Sequence, residues 1–209
     1  MTNRIRLLCA GLLLLVAAAA AFAQDGQMQD MGGGQRVDKR RLTTIQTAAA
    51  DAGKTKNAVE VRYLNLPWGE ATFGYIETGS DPRNQGYYAG RTWPIAHLKL
   101  AAPATFEGHK LAPGDYVIVI TPANAKENKG MMLGVAAFTP GEEGTFLKAG
   151  NVFVDTPKDA KLIAEKPIKF AKGAPVVDHL VIETAQEGRD VALKFHYGDR
   201  TLVEKLRVG

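Results

Sequence analysis

The 209-residue sequence predicts an all-β fold: a single antiparallel β-sandwich or jelly-roll-like domain behind a signal peptide and a flexible tether. Three observations carry this expectation. Apolar and polar residues alternate with period two in several short stretches, as half-buried strands require. Turn residues separate those stretches, at Asp81-Pro82-Arg83-Asn84-Gln85-Gly86, Ala112-Pro113-Gly114-Asp115, Pro140-Gly141 and Gln186-Glu187-Gly188. No helical period lies between them, which leaves a sandwich or open barrel as the architecture.

The first element is residues 1–23. Arg4 and Arg6 precede an apolar run from Leu7 to Ala21, and Ala21-Phe22-Ala23 closes it. This is the order of a cleavable secretory signal. The run is shorter than the roughly 20 apolar residues a spanning helix needs, so no membrane span is expected in the mature chain. A periplasmic or secreted location follows. Cleavage removes Cys9, the only cysteine, and with it any disulfide or thiolate chemistry. It also removes Arg4 and Arg6, which halves the formal net charge of +4. Charges of both signs are interspersed, so nucleic acid is not an expected partner.

Residues 24–36 are Gln, Asp, Gly and Met with a Gly32-Gly33-Gly34 triplet, a composition too poor in apolar surface to fold. They read as a flexible tether. Met28 and Met31 without a histidine make a poor copper site. The domain proper is assigned to residues 37–209. Its first stretch, 37–56, is open between helix and strand: Val37, Arg41, Ile45 and Ala48 have helical spacing, whereas Leu42-Thr43-Thr44-Ile45 is rich in β-branched residues.

Strand patterns follow in order. Val59, Val61 and Tyr63 alternate with Glu60 and Arg62. Ala71, Phe73 and Tyr75 alternate likewise, as do Ala96, Leu98 and Leu100 against His97 and Lys99. Tyr116 to Ile120 and Met131 to Phe138 are continuous apolar runs, which suit strands covered on both faces. Asn151 to Asp155, Ala160 to Ala164 and Pro167 to Phe170 are short candidates in a segment read as an edge or excursion. Val177 to Glu183, Val191 to Tyr197 and Leu202 to Val208 complete the series, with Gly198-Asp199 as an expected two-residue hairpin turn.

No catalytic, metal or cofactor site is assigned. His97, His109, His179 and His196 show no metal-binding spacing, and no cysteine can complete a zinc site. Ser80, the one serine, sits in Thr78-Gly79-Ser80-Asp81-Pro82 without a nucleophile elbow. Glu142-Glu143 lie in a Gly-flanked loop, and Glu60, Glu70 and Glu77 are carboxylates of a kind any β-protein offers. The most informative stretch is aromatic. Trp68, Phe73, Tyr75, Tyr87, Tyr88 and Trp93 cluster between positions 68 and 93, interleaved with Arg83, Asn84, Gln85 and Arg91. Aromatic faces beside planar polar groups suit stacking on sugar rings or other amphipathic ligands. The ligand-binding candidates are therefore Trp68, Tyr75, Tyr87, Tyr88, Arg91 and Trp93.

Gly108-His109-Lys110-Leu111-Ala112-Pro113-Gly114-Asp115-Tyr116, continued by Val117-Ile118-Val119-Ile120-Thr121-Pro122, resembles the G-K-x-L-P-A-G-x-Y-x-L-x-x-x-P signature of the bacterial exported domain-of-unknown-function family 2911. Val59-Glu60-Val61-Arg62-Tyr63 is similar to that family's first strand, and Leu193 to Val208 to its closing strands. Tyr88 to Trp93 falls where the family carries W-R-T-G-A-N, but here Arg91-Thr92 precedes the tryptophan and no Gly-Ala-Asn follows. The resemblance implies an exported all-β protein and no mechanism.

Three functions stay open at this point. The first is a non-enzymatic module that binds a small amphipathic ligand or a cell-envelope component. The second is a hydrolase or isomerase that uses convergent His and Glu side chains. The third is a structural envelope protein with an exposed strand edge.

Overall fold

The computed structural model describes residues 28–30, 36–38, 43–70, 73–74, 77, 92–124, 129–141, 146–150 and 156–209. The signal sequence, Tyr75, the loop from Gly79 to Arg91 and the candidate strand Asn151 to Asp155 lie outside them. β1 (Met28–Asp30), in the stretch read as a tether, pairs antiparallel with β2 (Arg36–Asp38), which straddles the end of that stretch.

The expected all-β architecture is present. Along the chain come β3 (Ile45–Ala52), β4 (Thr55–Leu64), β5 (Trp93–Leu100), β6 (Ala104–Phe106), β7 (His109–Leu111), β8 (Gly114–Asn124), β9 (Lys129–Ala137), β10 (Lys161–Ile168), β11 (Ala171–Glu187) and β12 (Asp190–Val208). They form two antiparallel sheets, ordered β10-β9-β8-β5-β4-β3 and β11-β12-β6-β7. In the stretch that was open between helix and strand, Ile45 to Ala52 is a strand: Ile45 to Ala50 pair with Leu64 to Val59.

The core lies between the sheets. Val59, Val61 and Tyr63 of β4 point inward, as do Ala96, Leu98 and Leu100 of β5 and Ile118 and Ile120 of β8. Leu180 and Ile182 of β11 and Val191, Leu193, Phe195, Leu206 and Val208 of β12 meet them from the second sheet. Period two in the sequence thus becomes burial in space, because successive strand side chains alternate between faces.

The continuous apolar run of β8 has its expected cause. Its second face, with Val117 and Val119, joins Ala136 and Phe138 in a smaller cluster on the outside of the six-stranded sheet. Phe146 and Ala160 pack over that cluster. The excursion after β9 therefore caps a sheet face.

Three expectations need correction. Phe73 is not in a strand: Glu70, Phe73, Gly74 and Glu77 are helical, and the Phe73 amide donates to the Gly69 carbonyl at 2.9 Å. Three alternating apolar residues are too short a pattern to separate strand from helical turn. Gly198-Asp199 makes no hairpin; β12 runs through it from Asp190 to Val208. Gly198 holds φ +62° inside the strand, at a place where the β11–β12 register shifts. A glycine within a strand marks a bulge or a close approach. Two-residue hairpin turns fall instead at Gly53-Lys54, Gly188-Arg189 and Glu107-Gly108, the last with φ +48° and +78° where Phe106 pairs with His109. Both residues at positive φ make this the turn type that suits strand twist. Finally, Pro167 does not divide two short strands, because β10 is continuous from Lys161 to Ile168. As an edge strand it tolerates a proline.

The two sheets are also joined at one side by charge. Lys166 of β10 contacts Glu204 of β12 at 2.9 Å and Glu107 of the β6–β7 turn at 3.0 Å.

Candidate functional site

After β4 the chain crosses from one sheet to the other. The Trp68 amide donates to the Asp178 carbonyl at 2.7 Å, and the Leu180 amide to the Leu66 carbonyl at 2.8 Å. Pro67 thereby forms an isolated bridge with His179 of β11. Proline donates no backbone hydrogen bond, yet its carbonyl is used: the Tyr197 hydroxyl donates to it at 2.7 Å.

This crossing sets Trp68 into an aromatic group. Its ring meets Tyr197 edge-on, centroids 4.8 Å apart at 88°, and Phe73 at 5.6 Å. Phe73 meets Phe170 edge-on at 5.2 Å, and the Arg200 guanidinium stands 5.5 Å from the Phe73 centroid. Edge-to-face pairs at these distances are favoured by the ring quadrupoles. Burial pushes the Tyr197 phenol up to about 12.

Beside the aromatic group lies an open depression of about 640 Å³, lined by Glu77, Lys169, Phe170, Ala171, Lys172 and Arg200. The Arg200 side chain is only 8% exposed and is ion-paired with Asp199. Lys172 stands directly opposite Arg200 across β11 and β12. Lys169 and Lys172 are exposed and have no acidic partner among the described residues. The depression thus has an aromatic floor and a cationic rim.

Of the six sequence-derived candidates, the structure describes two. Trp68 anchors the aromatic group. Trp93 opens β5 opposite Ile120 and packs half-buried against the main core. Tyr75, Tyr87, Tyr88 and Arg91 lie outside the described residues. Sequence reasoning missed Phe170, Tyr197, Arg200 and the two lysines. One available signal was the pattern Lys169-Phe170-Ala171-Lys172, which brackets an aromatic residue with cations.

The histidines occupy separate elements. His97 of β5 is buried on the outer face of the six-stranded sheet, where its Nε2 donates to Asp115 Oδ1 at 2.7 Å. Phe138 and Phe146 pack around its ring at 5.1 and 6.3 Å, and its Nδ1 has no hydrogen-bond partner among the described residues. His109 is exposed on β7, and His179 lies on β11. His196 of β12 is half-buried and donates from Nε2 to the Pro175 carbonyl at 2.9 Å. Among the described residues no three His, Cys, Asp or Glu side chains are grouped to hold a metal. None of the depression's lining residues is a histidine. No helix among the described residues is long and apolar enough to cross a membrane.

The fold and site define an all-β, sandwich-like domain with an aromatic, cation-rimmed depression where the chain crosses between sheets. No family model, curated protein or solved structure matches the chain.

Proposed function

We propose that the chain is an exported, non-enzymatic binding module that holds a small amphipathic ligand or a cell-envelope component beside Trp68. The observation that carries this reading is the depression itself, in which Phe170 and Arg200 continue the Trp68–Phe73–Tyr197 group to the surface. Concave sites with an apolar floor and a few convergent polar groups are where small ligands bind. Export rests on the charged, apolar and small-residue order of residues 1–23. Kinship with the exported family 2911 rests on the Gly108 to Pro122 stretch, which forms a hairpin arm and the entry into β8.

The test uses tryptophan emission. In a Trp93→Phe variant Trp68 is the only tryptophan left, so its emission reports this region alone. Titration with a panel of alkyl glycosides, aryl glycosides and aryl carboxylates should give a saturable change for at least one class. A folded protein whose emission responds to none of them would sink the reading.

A second reading, a structural envelope component, is favoured by β3. This edge strand spans eight residues, Ile45 to Ala52, with no Lys and no Pro. The other long edges carry the usual protection against strand addition: Lys161, Lys166 and Pro167 on β10, Lys172 and Pro175 on β11. Light scattering of the purified chain separates the readings. Self-association abolished by Thr47→Lys would support assembly through β3, whereas a monomer at all concentrations would count against it.

A further inference from the structure

We propose that the depression is selective for small organic anions, with the negative group between Lys169, Lys172 and Arg200 and the apolar part on Phe170 and Ala171. The inference rests on the binding-module reading and narrows its ligand class.

The first argument is strand pairing. Lys172 and Arg200 are directly opposed in the β11–β12 ladder. Like charges placed so are destabilising unless something negative lies between or beside them. Asp199 takes up the charge of Arg200, and Glu77, which is paired with neither lysine, offsets one positive charge in the rim's net balance. One positive charge is then left over among the described residues of the rim.

The second argument is donor accounting. A guanidinium carries five N–H groups and no acceptor. Arg200 is largely buried, yet Asp199 is its one hydrogen-bond partner among the described residues. Its other donors, held in place by the Phe73 ring beneath, are available to a ligand from the depression it lines. A carboxylate or phosphate monoester accepts such donors in charge-assisted hydrogen bonds, which are stronger than neutral ones.

The third argument is the floor. Phe170 is buried at 6% exposure while still lining the depression, so a ligand's apolar body meets a fixed ring, not a mobile side chain. A bare inorganic anion would leave that surface unused. An aryl or short alkyl anion uses both halves.

The experiment is a saturation-transfer and calorimetric titration of the folded chain with benzoate, phenyl phosphate, benzyl alcohol, benzylamine and inorganic phosphate. Benzoate or phenyl phosphate should bind, the stronger of the two showing whether carboxylate or phosphate is preferred. Affinity should fall as salt rises from low to high ionic strength. Lys169→Gln/Lys172→Gln should weaken binding about tenfold with a denaturation midpoint that is unchanged or raised, since both side chains are exposed and Lys172 opposes Arg200. Equal binding of benzyl alcohol and benzoate, indifferent to salt and to the lysine variant, overturns anion selectivity and leaves the binding-module reading standing. Binding of inorganic phosphate as tight as that of phenyl phosphate overturns the role given to Phe170. Failure of every probe, with the Trp68 emission panel also silent, removes both readings together.

Discussion

The Trp68 indole fills the space that any side chain at position 198 would need. A Cβ built on Gly198 would overlap the indole ring, and the residue holds φ +62° besides. Close approach and backbone conformation therefore both demand glycine there. Gly198→Ala should cost about 2–4 kcal/mol, from ring displacement added to left-handed strain. Gly188, at φ +66° with open space around its Cβ position, is the control for strain alone, and its alanine variant should cost about 1 kcal/mol. Urea denaturation of the two variants decides: equal losses would mean Trp68 does not pack on β12.

Tyr197 should titrate late. Its phenol, raised by burial to about 12, stays protonated in the folded chain at pH values where an unfolded tyrosine, near 10, has lost its proton. The folded state then binds more protons than the unfolded state between those values, so stability is intact below pH 10 and falls as pH rises toward 12. The loss should be on the order of 2 kcal/mol. Tyr197→Phe should abolish this pH dependence. It should also cost about 1 kcal/mol at neutral pH through the lost hydrogen bond to Pro67. Alkaline denaturation series on both proteins provide the comparison.

The His97–Asp115 pair should behave asymmetrically. Asp115→Ala strands a buried imidazole that already lacks a partner at Nδ1 and should cost about 1–3 kcal/mol. Asp115 is itself 26% exposed, so His97→Leu leaves a carboxylate that water can reach and an apolar residue among Phe138 and Phe146. That variant should cost less, and the double variant less than the sum of the two singles. A double-mutant cycle by chemical denaturation measures the coupling.

Of the two carboxylates on Lys166, Glu204 matters more. Its side chain is 8% exposed against 43% for Glu107. Glu204→Gln should cost about 1–3 kcal/mol and Glu107→Gln less than about 0.5 kcal/mol. The Glu204 hydrogen bond, then that of Glu107, raises the lysine pKa. The contribution is therefore complete below the ordinary lysine range and lost as pH climbs past it. Thermal unfolding at neutral and strongly alkaline pH should show the variants converging on the parent.

Most of the ladder was legible because β4, β5, β8, β9 and β12 alternate or run apolar over five or more residues. Burial on one or two faces writes itself into composition at that length. What escaped notice was set by contacts distant in sequence. Phe73 looked like strand because three positions cannot distinguish periods, and the helical hydrogen bond to Gly69 depends on where Trp68 is anchored. Gly198-Asp199 looked like a turn because a glycine before an acidic residue is turn chemistry; only the Trp68 ring, far upstream, explains its place in mid-strand. His97 sat on the polar phase of β5 and was still buried, because the excursion after β9 folds back over that face. The aromatic stretch directed attention to Trp68, but the rest of the group, Phe170 between β10 and β11 and Tyr197 and Arg200 on β12, lies over a hundred positions downstream.

The pairing of β12 with β6 bears on how the protein comes to exist at all. Thr105 meets Arg207 and Ala104 meets Val208, so the smaller sheet closes only when the two ends of a very long stretch of chain find each other. Domains dominated by such distant pairings fold in milliseconds to seconds, slower than those built from neighbouring hairpins. During that interval the β6–β7 hairpin and the inward side of β12 present apolar strands with nothing beside them. Clumping competes with completion over the same interval. Yield on refolding should accordingly fall with protein concentration, and a holding chaperone would act on this one unclosed seam.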